Sequence, residues 1–337
     1  MKVIILLAGY GTRMRPHTWS RPKPLMKVAG NTVIGHILDQ MRDILVEEVV
    51  FVVGYRGEQI EAWIRENYPH LDAHFVVQAE PRGQAHAVWL CREHFTQDGE
   101  VVVAFGDGIV RADFAGYHAA AEPDAQAVFT TMLMEDPRPF GIMLKDAQGY
   151  VTHFVEKPDT VENKLVATGI NWFRSSAQLF EAIETILRDN RQTRGEFYMA
   201  DAYQVLLERG VRVKTMPVDY WYDAGNPQSI LETNQRLLGM GFGSPEALER
   251  SLGEGFTVIP PVYIHDSAEI EASVIGPYTH IDANVTVRNA VISRSIIDAG
   301  AAIESCVLDN ALVGEMACVK GQGKALFVGD NSVIALG

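Results

Sequence analysis

Two glycines, two cations and two carboxylates carry the most distinctive chemistry in this sequence. The stretch LAGYGTRMRPHTWSRPKPL, residues 7–25, follows a short apolar run that predicts a buried first strand. Gly9 and Gly11 lack a Cβ, so the backbone there can turn tightly and come close to a ligand. Successive N–H groups in such a turn face one concavity and bind anions. Arg13 adds a planar, permanently charged fork suited to phosphate. Pro22 and Pro24 stiffen the chain on either side of Lys23 and hold its ammonium in place. The set predicts a polyphosphate cradle with two cations. Asp107 lies in Gly-Asp-Gly directly after VVVAF, and Asp223 lies in Trp-Tyr-Asp-Ala-Gly after another strand-like run. Two carboxylates at strand ends can share a hard divalent ion, and Mg²⁺ typically takes one or two carboxylates plus substrate phosphates.

Further candidates are weaker one by one. Lys157, in Glu156-Lys157-Pro158, is a second cation for a phosphate, and Glu156 could accept hydroxyl hydrogen bonds. Arg194, in Arg-Gly-Glu, is a similar case. Gln78 offers a donor and an acceptor on one amide, which matches the alternating edge of a pyrimidine. Each has an ordinary alternative: a glycine turn, an aspartate cap, an exposed Glu-Lys pair, a strand-end glutamine. The ten histidines form no nucleophile constellation, and neither Gly-x-Ser-x-Gly nor a GxxxxGK[ST] loop is present. Phosphate chemistry without either suggests direct transfer between two bound substrates.

Positioning these groups requires a scaffold, and the chain alternates strand and helix signals. Strands are predicted at Val3–Leu7, Glu48–Val53, Ala73–Val77 and Val101–Phe105, and helices at Val33–Ile44, Glu58–Tyr68 and Gln84–Phe95. That rhythm predicts an α/β fold with a mostly parallel sheet. Ligands in such sheets bind beyond the carboxyl ends of strands, where the glycine cradle, Gln78 and Asp107 all fall. Strands at Ala127–Met134, Gly141–Leu144, Val151–Val155, Val166–Phe173 and Val211–Val218 extend the sheet. Helices are expected at Leu179–Leu187, Tyr198–Glu208 and Gln228–Leu238.

From Ile264 to Val319 aliphatic residues recur at steps of five or six: Ile264, Ile270, Ile275, Ile281, Val287, Ile292, Ile297, Ile303, Leu308, Val313 and Val319. This is the hexapeptide pattern of a parallel β-helix, whose coils bury their apolar face only against neighbouring coils. The expected organisation is 1–238 for the α/β domain, 239–257 for a glycine-rich linker and 258–337 for the β-helix. His265 and His280 are expected in its turns, without an evident partner.

Composition narrows the partners. The chain has 43 acidic against 29 basic residues, a formal charge of −14, which argues against a nucleic-acid surface. No apolar run approaches the ~20 residues of a membrane helix, and no signal peptide is recognisable. Three scattered cysteines suggest neither a disulfide framework nor a zinc site, so a reducing cytoplasm is the expected setting.

In order along the chain, AGYGTRMRPHTWSRPKPL, PRGQAHAV, GDG at Asp107, FG at Gly141, EKP at Glu156, TGINWF and WYDAGNP resemble the sugar-1-phosphate nucleotidyltransferases that carry a C-terminal left-handed β-helix. The resemblance covers essentially the whole chain and includes glucose-1-phosphate thymidylyl- and uridylyltransferases. It implies a Rossmann-like nucleotidyltransferase domain. Leu7, Ala8, Gly9, Gly11, Thr12, Arg13, Lys23, Gln78, Gly83 and Asp107 would hold a nucleoside triphosphate. Gly141, Glu156, Lys157, Asn171 and Arg194 would hold a sugar 1-phosphate, and Asp107 and Asp223 would bind Mg²⁺. Arg13, Lys23 and Lys157 would act on the reacting phosphates. The implied reaction is in-line attack on the α-phosphorus with release of pyrophosphate, with UTP or dTTP and glucose 1-phosphate favoured. The loop carries one glycine fewer than the common Gly-Gly-x-Gly-Thr-Arg, a form that looks more like the uridylyltransferase branch. Alternatives are a GTP-dependent mannose-1-phosphate guanylyltransferase, a non-catalytic nucleotide-sugar sensor, and a bifunctional enzyme whose β-helix transfers acyl groups. The β-helix is expected to serve homo-oligomer formation.

Overall fold

Apolar runs broken by glycines set the rhythm of the first half of the chain. The computed structural model describes residues 1–42, 45–193 and 195–321, without the side chains of residues 253 and 254. Arg194 therefore lies outside the described residues, as do 322–337 of the expected β-helix. The chain divides into two compact units: Met1–Met26 with Asn31–Ile230, and Lys27–Gly30 with Leu231–Gly337. The division falls inside the helix Pro227–Gly239, upstream of the boundary expected after 238.

In the first unit, strands β1 (Lys2–Leu6), β2 (Glu48–Val53), β3 (Ala73–Val77) and β4 (Val101–Phe105) are parallel, in the spatial order β4-β1-β2-β3. Helices α1 (Val33–Gln40), α2 (Gly57–Asn67) and α3 (Gln84–Leu90) connect them in sequence. Thr32 caps α1, its hydroxyl accepting from the Gly35 N–H at 2.9 Å. Val101–Ala104 are almost fully buried, as parallel strands covered on both sides require.

Strands β5 (Gly108–Arg111), β6 (Ala127–Leu133), β7 (Gly141–Lys145), β8 (Val151–Glu156), β9 (Leu165–Phe173), β10 (Val213–Pro217) and β11 (Tyr220–Asp223) also belong to this unit. The main sheet has nine strands along the path β8-β7-β9-β4-β1-β2-β3, with β6 paired to β9 and β10. β9 runs antiparallel to β4 and joins the two halves. Helices α4 (Tyr117–Ala121), α5 (Ser176–Arg188) and α6 (Met199–Glu208) belong to the second half.

Two sequence expectations shift. The helix expected over Gln84–Phe95 stops at Leu90 and tightens into a 3₁₀ turn at Arg92–His94. The helix expected over Val33–Ile44 ends at Gln40, and residues 43 and 44 lie outside the described residues. β5 went unread because its partner, β11, is more than a hundred residues away in sequence, and local patterning does not report such a pairing. Among the described residues, no helix is long and apolar enough to cross a membrane.

The second unit is a left-handed β-helix built of three four-stranded parallel sheets. Registers stack Ile264, Ile281, Ile297 and Val313 in one ladder, and Ile270, Val287, Ile303 and Val319 in another. The third runs Val258, Ile275, Ile292, Leu308. The regular five-to-six-residue steps of the sequence are these three ladders taken in turn. His280, expected in a turn, is instead a fully buried strand residue in Thr279–Ile281. Its Nδ1 accepts from the Gly30 N–H at 3.0 Å, and its ring stacks on Tyr263 at 4.8 Å. A Cβ on Gly30 would meet the Tyr263 ring at 2.6 Å, and the Ala29 N–H donates to Asn234 Oδ1 at 2.9 Å. These contacts draw Lys27–Gly30 into the second unit.

Ile281 is fully buried between Ile264 and Ile297. Ile281→Ala should destabilise this unit by about 2–5 kcal/mol, read as a lowered midpoint in denaturant unfolding.

Candidate functional site

Two loops that leave neighbouring strands build the site. After β1, the Leu7 N–H donates to Val52 O at 2.8 Å, and after β4 the Gly106 N–H donates to Leu6 O at 3.1 Å. A side chain at Gly106 would lie 2.8 Å from Leu6 O, so only glycine allows the two loops to leave together. Gly11 then takes a left-handed conformation at φ +61° and opens the 3₁₀ turn Thr12–Met14. Thr18 Oγ1 donates to Gly11 O at 2.8 Å and closes the loop on itself. A Cβ at Gly9 would meet nothing within 4 Å, so the concave side of the turn is open. Lys23 begins a second 3₁₀ turn, Lys23–Leu25, with extended Pro22 before it.

Leu7, Ala8, Gly9, Gly11, Thr12, Arg13, Lys23, Gln78, Gly83 and Asp107 all line one cleft of about 370 Å³. Gly83 has φ +105°, and a Cβ there would stand 2.5 Å from Phe197 O. The Ala85 N–H donates to that same carbonyl at 3.0 Å, fixing the start of α3 against the cleft. Gln78 Nε2 donates to Gly83 O at 3.0 Å and lies 3.2 Å from His86 Nδ1.

A second cleft of about 610 Å³ adjoins the first and shares Arg13, Gln84, Phe105, Asp107 and Glu196 with it. Gly141, Glu156, Lys157, Asn171 and Asp223 line this second cleft. Lys157 adopts φ +50°, strain that its neighbours hold in place. Its N–H donates to Phe140 O at 3.0 Å, and its ammonium lies 3.9 Å from Glu156 Oε1 and 5.7 Å from the Tyr198 ring centre. Asn171 is buried beside an irregularity in β9, where Gly169 has φ +85°. Its Nδ2 donates to Tyr203 Oη at 3.0 Å, while its Oδ1 is buried with no hydrogen-bond partner in the protein. A buried acceptor left open in this way suits a ligand hydroxyl.

The two aspartates meet through the ribbon formed by β5 and β11. Asp223 registers with Gly108, and the Ala224 N–H donates to Asp107 O at 3.1 Å. A Cβ on Gly225 would stand 2.8 Å from Asp223 Oδ1 and 3.3 Å from Arg13 Nη2, so this glycine leaves room for both groups. Lys23 Nζ lies 3.9 Å from Asp107 Oδ2 and is only 12% exposed. Burial pushes the Lys23 ammonium below its ordinary pKa. Asp107 and Asp223 pull the other way, and Arg13 adds to the lowering. Sequence reasoning named Glu196 only within Arg-Gly-Glu and did not single out Gln84, Trp221 or Asn226, which also line the clefts. All four sit in or beside the motifs PRGQ, RGE and WYDAGNP, but a polar residue inside a motif carries no signal of which way it faces.

Because the folded pKa of Lys23 is below the unfolded one, the unfolded chain binds the extra proton. Stability therefore rises with pH through the interval between the two values. Lys23→Met should raise the thermal midpoint at pH 7 by a few degrees, and that gain should shrink as the pH climbs toward the lysine range.

The family model of the nucleotidyl transferases matches residues 2–239. The low-salt glycan biosynthesis nucleotidyltransferase of Haloferax volcanii is 30% identical over the full length of both chains. A UTP–glucose-1-phosphate uridylyltransferase of the same organism is 30% identical over 70% of this chain and 96% of its own. A glucose-1-phosphate thymidylyltransferase of Streptomyces griseus is 28% identical over 98% of each. The family model and these relatives show that the chain belongs to the sugar-1-phosphate nucleotidyltransferase family.

Proposed function

We propose that the protein transfers a uridylyl or thymidylyl group from UTP or dTTP to glucose 1-phosphate in a Mg²⁺-dependent reaction. The observation that carries this reading is the seam between the clefts, where Arg13 and Asp107 line both, with Lys23 and Asp223 beside them. A sugar-phosphate oxygen would attack the α-phosphorus in line, and the bond to the bridging oxygen of the β-phosphate would break, releasing pyrophosphate. No protein nucleophile is required. Two anions must be brought together, so positioning and charge neutralisation do most of the work. Arg13 would face the departing pyrophosphate, Lys23 the reacting phosphates and Lys157 the sugar phosphate. Gly141, Glu156 and Asn171 would hold the sugar, with Asn171 Oδ1 accepting from a hydroxyl.

Asp107, just before β5, and Asp223, at the end of β11, are hard oxygen donors that fit a magnesium ion. When bound, the ion neutralises phosphate charge. Gln78 stands where it can contact the base. Its amide nitrogen is engaged by Gly83 O and His86 Nδ1, so the donor–acceptor pair expected from the sequence is reduced to an acceptor, which suits the N3–H of uracil or thymine and equally the N1–H of guanine. Burial and then the charge of Arg82 hold His86 below its usual pKa, so the ring is neutral near pH 7 and can accept that hydrogen bond. The names of the uridylyl- and thymidylyltransferase relatives agree with the choice of UTP or dTTP.

Pyrophosphate release assayed over UTP, dTTP, GTP, ATP and CTP with common sugar 1-phosphates tests the proposal. Turnover should be highest with UTP or dTTP, and no turnover with any pair would sink it. Asp107→Ala and Asp223→Ala should each lower kcat by roughly 10²–10³. Gln78→Leu should raise KM for UTP by about tenfold and leave kcat nearly unchanged.

A further inference from the structure

A second constellation lies at the other end of the parallel strands. Glu48 opens β2, His74 is the second residue of β3, and His94 closes the 3₁₀ turn after α3. β2 rises about 3.3 Å per residue, so Glu48 stands roughly 16 Å along the strand from Val53, whose carbonyl accepts the N–H of Gln78 beside the nucleotide cleft. His94 Nδ1 is 2.9 Å from Glu48 Oε1, and His74 Nε2 is 3.8 Å from the same oxygen. The three donor atoms lie within 4.8 Å of one another, and the two imidazole rings pack with centroids 4.9 Å apart. Asp72 Oδ1, 3.1 Å from His74 Nε2, offers a fourth donor atom. Lys2 Nζ holds the other Glu48 oxygen at 2.6 Å and leaves Oε1 turned toward the histidines.

We propose that Glu48, His74 and His94 form a binding site for a borderline divalent transition ion of the Zn²⁺ type, with Asp72 or water completing the shell. The donor set argues for this class of ion. Two imidazoles and a carboxylate suit Zn²⁺, whereas Mg²⁺ favours oxygen donors alone. Zinc–ligand bonds of about 2.0–2.2 Å place neighbouring tetrahedral donors roughly 3.3–3.5 Å apart. The observed spacings of 2.9 and 3.8 Å bracket that value, so small side-chain rotations close the shell. The two carboxylates and one lysine give the pocket a formal charge of −1 before the imidazoles are counted, which favours a cation. Glu48 is only 12% exposed, His94 27% and His74 42%, so the trio is partly shielded yet reachable. An ion there ties the leading edges of β2 and β3 to the segment that follows α3, the helix whose first turn borders the nucleotide cleft.

The test uses the untagged full chain, stripped with chelator and kept in excess Mg²⁺. Titration with Zn²⁺, or with Co²⁺ as a spectroscopic probe, should show one equivalent bound and a thermal midpoint raised by several degrees. His74→Ala/His94→Ala should weaken that binding at least a hundredfold and abolish the shift, with nucleotidyl transfer unchanged. The milder His74→Asn should weaken it about tenfold, which keeps the outcome readable if the double variant folds poorly. Asp107→Ala/Asp223→Ala should bind the same equivalent as the unaltered chain. The proposal is overturned if no equivalent is bound, if the histidine variants bind as well as the parent, or if binding follows the two aspartates instead.

Discussion

Lys23 Nζ sits 3.9 Å from Asp107 Oδ2, within the fields of Asp223 and Arg13, in a chain whose formal charge is −14. Holding that ammonium out of water is unfavourable, and much of the local architecture serves to do it. The extended Pro22 presents it, the left-handed Gly11 lets the loop pass against its Cβ, and Gly225 opens space for Arg13 and Asp223. A surface arrangement of the same charges would contribute little, because solvent and salt screen exposed pairs. Partial burial at the seam of two clefts makes the charges count, and the lowered pKa of Lys23 records what that placement costs.

The sequence revealed the scaffold well because the scaffold depends on local signals. Glu48–Val53, Ala73–Val77 and Val101–Phe105 are mainly apolar runs, broken only by Glu48 and His74, and they became strands with those limits. The β-helix was legible for a related reason. Its periodicity is imposed by stacking, so Ile264, Ile281 and Ile297 announce their ladder before any contact is known. Glycines and charged residues at strand ends likewise pointed toward the clefts.

What stayed hidden depends on distant pairing or on side-chain direction. β5 needs β11 across the whole second half of the sheet. His280 reads as a polar turn residue until Gly30, far away in sequence, donates to it. Gln84 and Glu196 face both clefts, but no local pattern distinguishes them from solvated neighbours. The cluster of Glu48, His74 and His94 is scattered over nearly fifty positions and meets only because parallel strands align their starts.

The ribbon of β5 and β11 also bears on how such a chain can change. Both aspartates are anchored to it, Asp107 just before β5 and Asp223 at the end of β11, with four residue pairs in register between the strands. Everything from 112 to 219, including Gly141, Glu156, Lys157 and Asn171, leaves the ribbon and returns to it. That excursion also supplies β6, β7, β8, β9 and β10 to the main sheet, so its freedom to vary lies in its surface loops. Changes in those loops can reshape the second cleft while the ribbon keeps the two aspartates beside each other, which lets one side of the site diverge without disturbing the other.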